Sequence, residues 1–371
     1  MLTILRYGEL CASNFTLGPW GEQTRSALGC RPLIEGNPYI IEKTPVYAAL
    51  QVKGKTAAYV FLYPDQFCWA APDLRAPINW LWMTDYLSLP AYRNSGAGVL
   101  LIKHLRTQLE AEGYCLGGIN LSADSRRVFE ALRFPVVEKI PRYVFPLRSR
   151  PILSRYPLLR PILPLACPAA NLALRLYCHH AVWRVRGPHI TLTLDHSPST
   201  IQCPLSTVHS STEPISLRAL ESSWFKKTEP IGAFDKSPRR MHWFLNLPPG
   251  GGRTLQPWLL HADDSPDPIG SLLLRSKRFN SIAGGRFRNL RILSVLEADG
   301  LDPAQLVRAV LQRATREAPP PDVIEWCEDR PVVQACLQRA GFRKMGAMAF
   351  CSSLPLPTPR HITQGDGDAG L

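Results

Sequence analysis

Residues 87–101, Leu87-Ser88-Leu89-Pro90-Ala91-Tyr92-Arg93-Asn94-Ser95-Gly96-Ala97-Gly98-Val99-Leu100-Leu101, read as a strand end, a short loop and the start of a helix. Backbone N–H groups at a helix start have no partner within the helix and point outward. The helix dipole adds positive potential there. Gly96 and Gly98 let the backbone come close to an anion with no side chain between. Arg93 adds a charge-assisted donor. The stretch is therefore expected to form an anion cradle, beside the reading of a plain strand–helix turn. A Walker loop needs Lys-Ser/Thr after its last glycine, and Val99-Leu100 stands there instead. A dinucleotide fingerprint needs a small residue at 101, which is Leu.

Strand and helix signals alternate on both sides of this loop. Val46–Val52 and Thr56–Leu62 are strand runs around the hairpin signal Lys53-Gly54-Lys55. Trp80–Leu89 is a strand, and Gly98–Glu112 is a helix with Ile102, Leu105 and Leu109 on one face. Tyr114–Leu121 is a strand. Ser122 caps a helix running to Leu132, and Phe134–Phe145 returns as strand.

The order then repeats. Leu290–Leu296 is a strand, and Asp302-Pro303 opens a helix with Leu306, Val307, Val310, Leu311 and Ala314 on its apolar face. Val323–Cys327 is a strand, Asp329-Arg330-Pro331 opens a helix closed by Gly341, and Phe342–Cys351 is the last strand. Phe134 and Phe342 hold the same place in the two series. Two copies of one domain fold are expected.

On the strand before it, the motif Arg93-x-x-Gly96-x-Gly98 and the helix, strand and helix ending in Leu132-Arg133-Phe134, the chain resembles the GNAT N-acetyltransferase superfamily. The likeness covers residues 1–147 in motif and the second series in pattern only. Arg239-Arg240-Met241-His242-Trp243-Phe244 is similar to a segment of its tandem members. The resemblance implies an α/β (α+β) fold class. It implies two tandem GNAT-like domains, each a mixed, mostly antiparallel central sheet flanked by helices. Residues 1–147 are expected to be the acyl-CoA-binding domain and 148–187 a basic, proline-rich linker. Residues 188–353 are expected to be a degenerate GNAT-like domain and 354–371 a disordered tail.

The resemblance further implies acetyl-CoA or another acyl-CoA as substrate, with an amine of a small molecule or of a sugar or polysaccharide precursor as acceptor. The pyrophosphate falls on Asn94, Ser95, Gly96, Ala97 and Gly98 beside Arg93, and the pantetheine arm between the splayed strands near Leu87 and Leu89. A backbone N–H near Leu89 polarises the thioester carbonyl. The amine attacks directly, with no acyl-enzyme.

Three family positions are altered. The tyrosine that protonates the leaving thiolate falls at Phe129, and the usual Asn and Ala fall at Ser122 and Ser125. Tyr92, Tyr114 and Tyr143 are alternative donors. Asp85 is the candidate base, beside the reading of a plain solvated carboxylate, with Tyr86 and His104 behind it. The second series carries Glu297, Asp299 and Asp302 where phosphate would bind, and lacks the arginine and the glycine pair. A structural or acceptor-shaping role is expected there.

The net charge is +13 over 371 residues, and its placement is uneven. Arg148, Arg150, Arg155, Arg160, Arg175, Arg184 and Arg186 lie in a tract with no Asp or Glu. Two readings stand: a linker packed across both halves, or a strip meeting an anionic membrane surface. A general nucleic-acid footprint is not implied. Arg275, Lys277, Arg278, Arg286, Arg288 and Arg291 make a second basic group, read either as an anionic-acceptor site or as a solvated strand face. The ten cysteines are scattered with no CxxC pair, which fits reduced thiols in a cytoplasmic protein. No metal site is expected, Cys178-His179-His180 included. A CoA-binding module without catalysis, and a membrane-surface or RNA-associated protein on this fold, are the alternative functions.

Overall fold

The computed structural model describes residues 1–13, 34–69, 76–154, 157–185, 232–234, 238–245, 254–261, 268–279, 290–300, 302–317, 320–356 and 360–363. Its strands are β1 (Leu2–Arg6), β2 (Pro45–Val52), β3 (Lys55–Trp69), β4 (Ile78–Ser88), β5 (Cys115–Ile119), β6 (Val136–Pro146), β7 (Gly232–Phe234), β8 (Thr254–His261), β9 (Pro268–Phe279), β10 (Leu290–Gly300), β11 (Val323–Cys327) and β12 (Arg343–Ser352). Its main helices are α1 (Tyr7–Ala12), α2 (Ala97–Ala111), α3 (Ala123–Ala131), α4 (Leu163–Arg184), α5 (Pro238–Leu245), α6 (Pro303–Arg316) and α7 (Pro331–Arg339).

The strands form one mixed sheet in the order β1-β2-β3-β4-β5-β12-β6-β11-β10-β9-β8, with β7 added against β3. The parallel pairs are β4 with β5 and β10 with β11. Each is joined by a helix, α2 and α6, because parallel neighbours need a long crossover. The two series thus have the same local order. Phe134 N–H bonds the Phe129 carbonyl, and Phe342 N–H bonds the Leu337 carbonyl, so the same turn closes α3 and α7.

The centre of the sheet is exchanged between the halves. β6 follows α3 but pairs with β11, and β12 follows α7 but pairs with β5; the two then pair with each other. Apolar side chains pack on both faces of the sheet. In the first half Leu81, Met83 and Leu116 meet Leu101, Ile102 and Leu105 of α2. In the second half Leu272, Leu274 and Leu293 meet α6 and α7. The other face carries an aromatic cluster that includes Tyr47, Phe61, Trp80, Trp82, Phe234 and Phe350. Gly117 permits part of this packing: a Cβ there would lie 1.8 Å from Cζ2 of Trp80.

The expected caps are present. Ser122 accepts from Ser125 N–H at 3.0 Å, and Asp302 accepts from Ala304 N–H at 2.9 Å ahead of Pro303. The linker tract gains a helix, and one expectation changes. The tract 148–187 contains a helix of 22 residues, α4. Pro164 sits in its first turn, where a missing N–H costs nothing, and Pro168 lies only one turn further in. The segment after Leu354 is not wholly a disordered tail, since Leu356 and Ile362 are buried in the aromatic cluster. Residues 364–371 lie outside the described residues.

The second basic group is not one solvated face. Arg275 is 1% exposed, and Lys277 lies 3.8 Å from the Glu325 carboxylate. Arg286 and Arg288 lie outside the described residues.

Candidate active site

β4 carries an irregularity that decides the site. Phe61 pairs with Thr84 and Tyr59 with Leu87, so β4 holds one residue more than β3 over this interval. This is a β-bulge at Asp85-Tyr86, and Asp85 adopts φ +47°. The side chains change face across it. Trp80 and Trp82 enter the aromatic cluster with Leu89, whereas Leu81 and Met83 share the helix-side core with Tyr86.

β4 and β5 also part company. They pair from Trp80↔Cys115 to Trp82↔Gly117 and no further, although β4 runs on to Ser88. The resulting cleft has Met83–Ser88 on one side and Gly118–Ile119 on the other. Leu89 N–H does not face it: that group donates to the Ala57 carbonyl at 2.9 Å. Because Ser88 pairs with Ala58 inside that bond, its own N–H points away from β3, toward the cleft. Ser88, absent from the expected set, therefore replaces Leu89 as the inward amide. The side chain of Leu87 is exposed, and so is Asp85.

The loop after β4 has the geometry of an anion cradle. Ser95 N–H bonds the Tyr92 carbonyl, and the Ser95 hydroxyl accepts from Ala97 N–H at 3.3 Å. Asn94 at φ +65° and Gly96 at φ +78° turn the chain into α2. Among the described residues, the N–H groups of Gly96, Gly98 and Val99 have no partner. Arg93 is exposed beside them. Gly98 rests directly on β4, where a Cβ would lie 2.2 Å from the Tyr86 hydroxyl and 2.6 Å from that of Ser88. These two hydroxyls form the floor of the cradle.

Ser122 and Ser125 bond each other, at 2.9 Å between hydroxyls, in capping α3. Phe129 is buried in the core, its ring 4.9 Å from that of Phe134 and 6.4 Å from that of Tyr86. Tyr143 is removed as a proton donor for this cleft, because its hydroxyl donates to Gln334 in the second half's core. Tyr92 and Tyr114 pack partly buried against the α2 core. His104 is exposed on α2. Burial pushes the Tyr86 hydroxyl up to about 12, so it stays protonated at neutral pH. It suits a donor and not a base.

The second half repeats the bulge and the splay. Val295 pairs with Leu274 but Glu297 with Leu273, and β10 pairs with β11 only from Ile292 to Val295. Here protein fills the space. Arg330 reaches across to the Ala298 carbonyl at 2.8 Å while forking onto Glu328. His361 Nδ1 lies 2.6 Å from Asp329, Ile362 N–H donates to the same carboxylate, and the Thr363 hydroxyl bonds Glu297 at 2.5 Å. Glu328, Asp329 and His361 lie close enough together for one cation. Arg330 and Ile362 N–H already take up two of those three groups.

Burial alone would raise the Asp329 carboxyl. The His361 hydrogen bond, the His361 and Arg330 charges and Ile362 N–H outweigh it and hold the group below the usual carboxylate value. A depressed carboxylate contributes stability above its unfolded value, near ~3.9, and loses it as pH falls through the folded value. Proteolysis between residues 354 and 363 is therefore expected to stay slow at neutral pH and to accelerate only below about pH 4. Asp329→Ala is expected to give the fast cleavage at pH 7, and unchanged cleavage there would remove this anchor from the account.

No family model and no curated protein matches the chain. Solved structures do. N-myristoyltransferase of Saccharomyces cerevisiae, with bound myristoyl-CoA, superposes at a TM-score of 0.50 and 9% identity, over 87% of this chain and 72% of its own. A GCN5-related N-acetyltransferase of Anabaena variabilis gives 0.48 at 13% identity, over 94% and 72%. A probable N-acyltransferase of Enterococcus faecalis gives 0.49 at 9%, over 94% and 71%. The chain shares the fold of the N-myristoyltransferase, and that fold is its structural class. Within that class the chain shows the bulged, splayed parallel pair twice, open in the first half and filled in the second.

Proposed function

We propose that the first half binds an acyl-CoA and transfers its acyl group to an amine. The carrying observation is the set of unpartnered amides at Gly96, Gly98 and Val99, placed at the mouth of the open cleft between β4 and β5. Three N–H groups and Arg93 match a pyrophosphate. A narrow cleft flanked by unpaired strand backbone matches an extended, amide-bearing arm. Acetyl-CoA is the simplest donor.

The residues divide the work as follows. The amine must reach the carbonyl without its extra proton, which Asp85 at the bulge takes directly or through water. The free amine then attacks the thioester carbon, and the Ser88 N–H stabilises the negative oxygen that forms. The nitrogen, positively charged after attack, releases its extra proton to solvent as the C–S bond breaks, the amide is then complete, and the thiolate leaves. A thiol with a pKa near ~8.5 leaves readily near neutral pH. Tyr86 carries the protonated hydroxyl beside the position where the resemblance expects one and Phe129 has none. We assign it the return of a proton to sulfur, with solvent restoring its own.

The burial of Phe129 favours one second reading, a module that binds acyl-CoA without turning it over. Calorimetric titration of acetyl-CoA into the wild type and an Arg93→Ala, Gly96→Glu variant tests the first step. Loss of one charge-assisted contact of about 1.5–3 kcal/mol corresponds to at least a ten-fold weaker Kd. Equal binding by both would place the cofactor elsewhere. CoA thiol release on adding an amine panel then separates the two readings, since a pure binding module releases none.

A further inference from the structure

Helix α4 has two apolar faces. One packs inward: Cys178, Ala181 and Val185 enter the core of the second half, and Tyr177 stacks on Phe145 with its hydroxyl bonded to the Gly341 carbonyl. Burial pushes the Cys178 thiol up to about 11, as expected of an inert core thiol. The opposite face is open. Leu165 is 81% exposed, Leu172 59%, Leu176 63% and Trp183 57%. At 3.6 residues per turn, positions 165, 169, 172, 176 and 183 fall on one stripe, roughly 27 Å long. Leu158 and Ile162 extend it into the preceding turn, both exposed. The same helical geometry puts Arg175 on one flank of the stripe and Arg184 on the other, both exposed.

Charge decides what covers this stripe. Between residues 148 and 187 the sequence has seven arginines and no acid. A second copy of the helix would bring arginine against arginine. An anionic surface meets both features at once, because the apolar stripe enters the acyl boundary while the flanking arginines reach headgroups. Trp183 at the end of the stripe suits that boundary, with an apolar ring and a polar N–H. Among the described residues no helix is long and apolar enough to cross a bilayer, so the contact is one of lying on it.

We propose that α4 is a lipid-surface helix that seats this protein on an anionic bilayer. The experiment is flotation of the full chain with phosphatidylcholine vesicles, with and without phosphatidylglycerol, at low and high salt. The wild type floats with the anionic vesicles only and releases as salt rises. The triple variant Leu172→Ser, Leu176→Ser, Trp183→Ser and the pair Arg175→Glu, Arg184→Glu each bind at least ten-fold more weakly. All five positions are exposed, so the thermal midpoint and acetyl-CoA binding stay at wild-type values, and those values serve as the folding control. No flotation of the wild type overturns the proposal. So does flotation that the triple variant retains, which would mean charge attraction alone. Self-association that the triple variant abolishes, with no vesicle binding, assigns the stripe to a second copy and overturns it too. RNA binding that is lost with the arginine pair but kept by the triple variant, again without flotation, does the same.

Discussion

Gly98→Ala is expected to weaken acyl-CoA binding by at least an order of magnitude while lowering stability. Helix propensity alone predicts the opposite sign, since Ala is favoured over Gly inside a helix by about 1 kcal/mol. Packing overrides it. The added methyl would sit 2.2 Å from the Tyr86 hydroxyl, 3.1 Å from its ring carbon Cζ and 2.6 Å from the Ser88 hydroxyl. Ser88 can rotate. Tyr86 is held on the far side by the α2–α3 core, with its ring against Phe129. Relief must come from α2 moving off β4, at an overpacking cost of about 1–3 kcal/mol. That movement carries the amides of Gly96, Gly98 and Val99 with it. The double variant Tyr86→Phe, Gly98→Ala removes the closest atom and is expected to recover most of the stability and part of the binding. A titration and a melting curve on the three variants measure both. Wild-type affinity in Gly98→Ala would show that the cradle does not depend on this contact, and the site assignment would fall.

The second large effect lies in the aromatic layer. Arg240 of α5 and Asp65 of β3 are each 2% exposed and lie 3.1 Å apart. Asp65 also accepts from the Trp82 indole at 3.0 Å, and the Arg240 guanidinium lies 5.3 Å from the Phe244 ring centroid. Removing either side chain breaks this buried ion pair, at a cost of about 3–5 kcal/mol. Asp65→Ala and Arg240→Ala are expected to lose that much each in urea denaturation. The double variant Asp65→Leu, Arg240→Met is expected to lose less than either, because no buried charge remains. Single losses below about 1 kcal/mol would mean that water reaches the pair. The pair ties α5 to β3, and so fixes the layer on which Trp80 and Trp82 of the bulged strand rest.

Much of the site was legible because its physics is local. The cradle needs an arginine, two glycines and a helix start within a few residues, and all of that is visible in Arg93 to Gly98. The bulge was not. A half-buried strand would have shown a slip in its apolar alternation, but Trp80, Leu81, Trp82 and Met83 are buried on both faces, so the slip at Asp85-Tyr86 leaves no mark. For the same reason the sequence points to Leu89 as the inward amide, one residue beyond Ser88.

The sequence by itself determined the elements, their caps and the repeat. Ser122, Asp302-Pro303 and the Phe134/Phe342 correspondence depend on groups within one turn of each other, and no distant partner can change them. Only the tertiary structure decided the rest. Which strand lies beside β5 is a choice between β6 and β12, each a strand that follows a helix in its own half, and it is made by the whole sheet. Asp65 meets Arg240 across 175 residues, and His361 closes onto Asp329 to fill the second cleft. The outward stripe of α4 is defined by the packing that turns Cys178 and Ala181 inward. A helix that is apolar on both sides gives no sequence signal of which side is buried, because burial is a property of the neighbours.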